Sequence, residues 1–321
     1  VTVNPLMKMV ADAPPEAARV EVLSLSPRLG RQSISPLYSY SPEQFIHHLM
    51  VLELPLLENL SARELVNANA TPPVTAAISW FDRVSYWVAK EIVCVDSERD
   101  RAELIKFFVD LAKEAVKKKR PKKSFSSAFQ IVAGLSHSSV QRLKKTWRLV
   151  PPSTMKKFEG LERLLDNHSN YAKYRAELER ADPPCIPHFG IFRRDITMIN
   201  IGNPTYLAAD GTAVSLSPVQ LSIASPVLVN IDKMANLAGV VAAWQRKLSP
   251  HLFCLPPPNL AFMTDLQKSI STTAPMLRDM KKALPPPESA PPTDAAPGVD
   301  DVVATLRRDC EQSDGLEELS L

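Results

Sequence analysis

Cysteine is scarce in this chain of 321 residues: Cys94, Cys185, Cys254 and Cys310 lie far apart and form no CxxC pair. That spacing supports neither a disulfide framework nor a zinc site, so the thiols are read as reduced. Glycine is scarce too, at 9 residues, and no GxSxG elbow, Walker loop, dinucleotide fingerprint or kinase motif set is present. A loop that cradles phosphate is not expected here. No apolar run approaches the roughly 20 residues needed to cross a bilayer, and the start lacks the basic, apolar and small-residue order of a secretory signal. The expectation is a cytoplasmic chain, with recruitment to membranes as an addition. The six histidines include no HExxH pair, and no carboxylate completes a ligand set, so neither metal nor cofactor is expected. A net charge of +3 is too small to imply a nucleic-acid partner by itself.

Proline, by contrast, is abundant at 29 residues and clustered, which divides the chain. Residues 1–40 hold Pro14, Pro15, Pro27 and Pro36 between short apolar runs and read as an extended lead-in. Residues 285–300 carry the run PPPESAPPTDAAP, which favours polyproline II and resists packing; it reads as a disordered linker open to an SH3-like partner. Within 301–321, Val302, Val303, Leu306 and Cys310 follow helical spacing and suggest a short closing helix or tail. Between these ends, residues 41–284 form one expected domain.

Its pattern is helical almost throughout. Ile78, Phe81, Val84, Val88 and Ile92 recur at three and four residues, as do Leu104, Phe107, Phe108, Leu111 and Ala115. The same spacing returns in Phe129, Val132 and Leu135, in Tyr171, Tyr174 and Leu178, and in Leu237, Val240, Val241 and Trp244. Only Thr212 to Ile223 alternates, as a loop or weak hairpin. The fold class is all-α.

Charge adds one feature, the run Lys113, Lys117, Lys118, Lys119, Arg120, Lys122 and Lys123. Cations at a helix C-terminus complement the macrodipole, and Pro121 would then stop the helix. An anionic membrane surface at Lys113–Lys123 is the second reading. Nucleic acid is disfavoured, because few aromatics interleave the lysines. Glu91, Asp96 and Glu98 read as a solvated face rather than as catalytic carboxylates.

Four segments in order carry a family resemblance: WFDRVSYWVAKEIV from Trp80, GLSHSSVQRLKKTW from Gly134, YAKYRAELERADPPCIPHFG from Tyr171, and IGNP at Ile201–Pro204. Together they resemble the catalytic domain of Ras-type guanine-nucleotide exchange factors. The resemblance implies an irregular helical bowl from which a helical hairpin projects, and a Ras-family small GTPase as partner. Such a protein opens the nucleotide site of the GTPase and performs no covalent chemistry. The first arm would begin near Phe189 and the second would hold Leu228–Leu237. Hairpin contacts fall by position on Phe189, Arg193, Arg194, Thr197, Met198, Asn200, Ile201 and Asn203. A pocket for the second switch of the GTPase falls on Ile78, Phe129, Tyr171 and His188, with Arg142 as the basic residue of the RL motif. Trp87 and Trp147 fit core positions.

The chain also departs from the family. Ile201 stands where a carboxylate is common, His188 where an apolar aromatic is common, and Ser79 where a basic residue often stands. Ser124 and Ser126 replace asparagines beside Phe125. At His188 a buried imidazole would need a partner or confer pH sensitivity. These departures keep a second reading open, a GTPase-binding or scaffold module without exchange activity.

Overall fold

The computed structural model describes residues 38, 40–67, 71–117, 122–208, 211–214, 228–249, 255 and 257–272. The Pro-rich linker at 285–300, the tail at 301–321 and nearly all of the lead-in lie outside the described residues. Helix α1 (Pro42–Glu58) starts from a reciprocal cap in which Ser41 Oγ accepts from the Gln44 N–H while Gln44 returns to the Ser41 N–H. Pro42 at its first position forfeits no helical bond. Helix α2 (Ala62–Val66) repeats the device with Ser61 and Glu64.

Helix α3 (Pro72–Val93) and helix α4 (Glu98–Ala115) bury the faces expected of their spacing, including Val84, Val88, Ile92, Leu104, Phe108 and Leu111. After β1 (Lys123–Ser124) comes helix α5 (Phe125–Leu135), the centre of the core, in which every residue except Ala133 is buried. It packs against both α3 and α4. Contact with α3 is so close that a Cβ on Gly134 would lie 2.5 Å from the Ser85 carbonyl oxygen. A helix this buried must satisfy its polar side chains internally. Ser126 Oγ and Gln130 Nε2 donate to Glu53 Oε1 of α1 at 2.5 and 2.9 Å. Glu53 Oε2 and Gln130 Oε1 remain buried without a partner, and burial pushes the Glu53 carboxyl up to about 7.

Helices α6 (Ser138–Gln141), α7 (Lys144–Leu149), α8 (Pro152–Leu165) and α9 (His168–Arg180) follow. Strand β2 (Cys185–Ile186) pairs in parallel with β1. The chain then makes helix α10 (Phe189–Gly202), strands β3 (Tyr206–Leu207), β4 (Ala213–Val214) and β5 (Leu228–Val229), helix α11 (Ile231–Leu248) and helix α12 (Leu260–Ser271). Trp87 is fully buried, and its indole N–H donates to Ser269 of α12 at 3.0 Å. Trp147 stacks on Phe158, with its N–H on the Val140 carbonyl.

Three expectations change. The basic run does not close one helix: α4 ends at Ala115, so only Lys113 lies in its last turn, while Lys123 belongs to β1 and 118–121 lie outside the described residues. Tyr171 is not in a regular helix, because Ser169, Asn170 and Tyr171 have left-handed φ of 51, 57 and 57°. The alternating segment supplies β4, which joins β5 across β3; residues 215–223 lie outside the described residues.

Candidate functional site

Helices α10 and α11 pack as the two arms of a hairpin. Its base is aromatic: the Trp244 ring lies 5.5 Å from Phe189 and 4.8 Å from Phe192, and all three are buried. The second arm continues to Leu248 rather than ending at Leu237, because Val241, Trp244 and Leu248 prolong its buried face. Of the expected contact residues, Phe189 and Arg193 therefore point inward. Arg193 donates to the Leu65 and Asn67 carbonyls at 3.2 and 2.6 Å, and Asn200 Nδ2 donates to Val66, which fastens the first arm to the end of α2.

The far end of the hairpin is fixed by a buried lysine that the sequence pattern did not reveal. Lys233 Nζ donates to the Asn200 and Asn203 carbonyls at 3.2 and 2.9 Å and to Thr205 Oγ1 at 2.9 Å. The last carbonyls of a helix lack intrahelical donors, so this ammonium completes the end of α10. Asn230 caps α11 through the Lys233 N–H and donates to the Pro204 carbonyl. Asn203 Nδ2 folds back onto the Ile199 carbonyl, and Thr197 Oγ1 donates to that of Arg193.

With its backbone tied down, the hairpin exposes apolar side chains. Among the described residues, six of the eight exposed large apolar side chains lie on it: Met198, Ile201, Leu228, Val229, Ile231 and Met234. Ile201 is 78% exposed. Single exposed apolar residues are ordinary, whereas six on one element are not.

Beside the base stands a cluster of packed aromatic rings. The His188 ring stacks on Phe129 at 4.3 Å, and Tyr171 meets Phe129 edge-on at 6.1 Å. Phe81, read from sequence only as a core residue, lies 5.0 Å from His188 and belongs to this cluster. Ile78, half-buried, sits one turn before Phe81 on α3. Arg194 lies over the Tyr171 ring at 5.7 Å and so links hairpin and pocket. Arg142 is apart, exposed at the end of α6 with its Nε on the Ser138 carbonyl.

His188 donates its backbone N–H to Tyr174 Oη at 2.9 Å, and its Nδ1 is buried without a partner. An edge of the residue reaches the surface, but desolvation pushes the imidazole down to about 3. His188 is thus neutral near pH 7, and the pH sensitivity expected there does not arise from its own titration. Ser124 caps α5 through the Ser127 N–H, and Ser126 serves Glu53, so both serines have structural partners.

The left-handed turn that presents Tyr171 costs about 1–2 kcal/mol per non-glycine residue. It is held by Arg175, whose Nε donates to the Asn170 carbonyl at 2.9 Å, while the same guanidinium makes two bonds to Asp195 of α10 at 2.8 and 2.7 Å. Neither residue was singled out in the sequence, where an arginine and an aspartate 20 positions apart carry no periodic signal.

The described chain is thus an all-α domain with a braced helical hairpin beside an aromatic cluster. The RasGEF domain family model matches residues 44–235, and the chain belongs to that family. It is 30% identical over 173 residues to Ras guanine nucleotide exchange factor M of Dictyostelium discoideum, covering 51% of this chain and 18% of that protein. It is 27% identical over 247 residues to Ras guanine nucleotide exchange factor efc25 of Schizosaccharomyces pombe, covering 75% of this chain and 23% of that protein. Guanine nucleotide exchange factor SDC25 of Saccharomyces cerevisiae is 33% identical over 142 residues, 44% of this chain and 11% of that protein. The chain thus spans less than a quarter of the length of these relatives. Among the described residues no helix is long and apolar enough to cross a membrane.

Proposed function

We propose that the chain is a guanine-nucleotide exchange factor for a Ras-family small GTPase. The observation that carries this reading is the pairing of a hydrogen-bonded, apolar-tipped hairpin with the Phe129, Tyr171 and His188 cluster. In this account the pocket receives the second switch segment and the tip of α10 enters the nucleotide site. A small GTPase holds its nucleotide through Mg²⁺, phosphate contacts and ordered switch loops. A protein that occupies part of that site favours the empty form only through its differential affinity for it. No proton transfer or covalent intermediate is required. An anionic membrane at Lys113–Lys123 and an SH3-like partner for 285–300 belong to the same proposal as accessory contacts.

A second reading, a binding module without exchange, is favoured by Ile201. An isoleucine 78% exposed at the tip cannot pair with the cations that hold phosphate, whereas a carboxylate could. Release of fluorescent GDP from Ras, Rap and Ral-type GTPases separates the two. The exchange reading expects at least one to be accelerated about tenfold or more, and Ile201→Glu to raise that rate further. If no GTPase responds to either protein, the binding-module reading replaces it.

A further inference from the structure

Helix α9 and the hairpin do not lie flush. A cleft of about 500 Å³ separates them, with Tyr174, Arg175, Phe192, Asp195, Trp244 and Lys247 among its walls. Packed helices hold one another by interdigitating side chains. Here the spacing across the cleft depends on a few polar ties. On the second arm, Lys247 Nζ donates to the Glu179 and Ala181 carbonyls at the end of α9, at 2.8 and 2.9 Å. On the first arm, the tie is the two-pronged pair between Arg175 and Asp195.

Arg175 does more than hold one arm. Its Nε donates to the Asn170 carbonyl and its Nη2 also reaches Asn170 Oδ1 at 3.3 Å, so the guanidinium is shared between the left-handed turn and the hairpin. That turn places Tyr171 in the pocket, and the residue beside Asp195, Arg194, lies over the Tyr171 ring. We propose that Arg175 is a positioning residue that couples occupancy of the aromatic pocket to the angle of the hairpin. A segment seated against Tyr171 would fix the turn at 169–171. The fixed Asn170 carbonyl would fix the guanidinium, and the planar fork would then hold Asp195 and the first arm in one orientation. Two-pronged geometry is essential to this role, because an ammonium on a flexible stem is a point charge that transmits no orientation.

Because this role presupposes the exchange-factor reading, the test joins a readout that needs no GTPase to one that does. Hydrogen–deuterium exchange of the free protein is expected to show peptides covering 167–171 and 189–202 opening about tenfold faster in Arg175→Leu, with α3 and α5 unchanged. In GDP-release titrations the maximal rate should fall about tenfold while the half-saturating concentration moves less than about twofold, the signature of misplacement rather than lost binding. Arg175→Lys should resemble Arg175→Leu, and Asp195→Asn should reproduce the hairpin effect from the other side without removing the Asn170 contacts. The role is overturned if Arg175→Lys restores the wild-type rate, if 189–202 keep wild-type protection in Arg175→Leu, or if opening is faster evenly across α3 and α5. Should the wild-type chain accelerate no GTPase, the exchange reading fails by itself, and the exchange pattern of the free protein still decides whether Arg175 holds the hairpin.

Discussion

Tyr171→Ala is expected to reduce stimulated GDP release at least about 30-fold, since a buried aromatic anchor at an interface commonly contributes about 2 kcal/mol or more. Tyr171 is only 5% exposed, and its ring meets Phe129 edge-on and lies under Arg194, so truncation removes one ring of the aromatic cluster. Its backbone already lies at a φ of 57°, a conformation that alanine tolerates no worse than tyrosine, so the turn itself gains no new strain. Tyr171→Phe keeps the ring and should stay within about threefold of wild type, the scale of one hydrogen bond's net worth. The pair of variants therefore separates loss of the ring from loss of the hydroxyl. Stopped-flow release with a responsive GTPase reads both, and full activity in Tyr171→Ala would remove the pocket from the account.

The second large effect concerns stability. Glu53 is buried, accepts two hydrogen bonds on Oε1 and none on Oε2, and its carboxyl is raised from 4.5 to about 7 by desolvation. A raised acid favours the folded state when protonated. Its contribution is fully present below about pH 4.5 and is lost as pH rises toward about 7. At about 1.4 kcal/mol per pH unit the loss is on the order of 3 kcal/mol. Denaturant unfolding at pH 5 and pH 8 should show the wild-type chain weakening by that order, and Glu53→Gln should flatten the difference by supplying a neutral side chain of the same shape. An unchanged pH slope in Glu53→Gln would place the titrating group elsewhere.

Most of the helical fold was legible because a helix with one buried face writes its spacing into the sequence. The faces of α3 and α4 and the burial of Trp87 follow from that rule. The rule fails where the backbone departs from the helix, as at Ser169–Tyr171, where no glycine stands and Asn170 is the only residue of a type that favours the left-handed region. In α5 the spacing of Phe129, Val132 and Leu135 marked a helix but not its burial nearly all round, which defines no single face. In the site, Phe129, Tyr171 and His188 came from the family resemblance and do meet in space. Phe81 was visible only as a core residue, because periodicity reports burial and not which neighbour is buried against it. The hydrogen bonds that reach the hairpin, Lys233 to α10 and Arg175 to Asp195, join positions about 20 to 33 apart and are set by topology, which local spacing does not encode. Phe189 and Arg193 show the converse: their place in the hairpin was readable, but their inward direction depends on Trp244 and on the carbonyls of α2.

The proposed exchange function requires that the hairpin and the aromatic cluster together prefer a GTPase without nucleotide. Titration calorimetry of the wild-type chain against the same GTPase, prepared nucleotide-free and GDP-loaded, measures that preference directly. An exchange factor must bind the empty form more tightly, and the account predicts a ratio of about 100-fold or greater. Equal affinity for the two forms would contradict it and leave a domain that binds its partner without opening it.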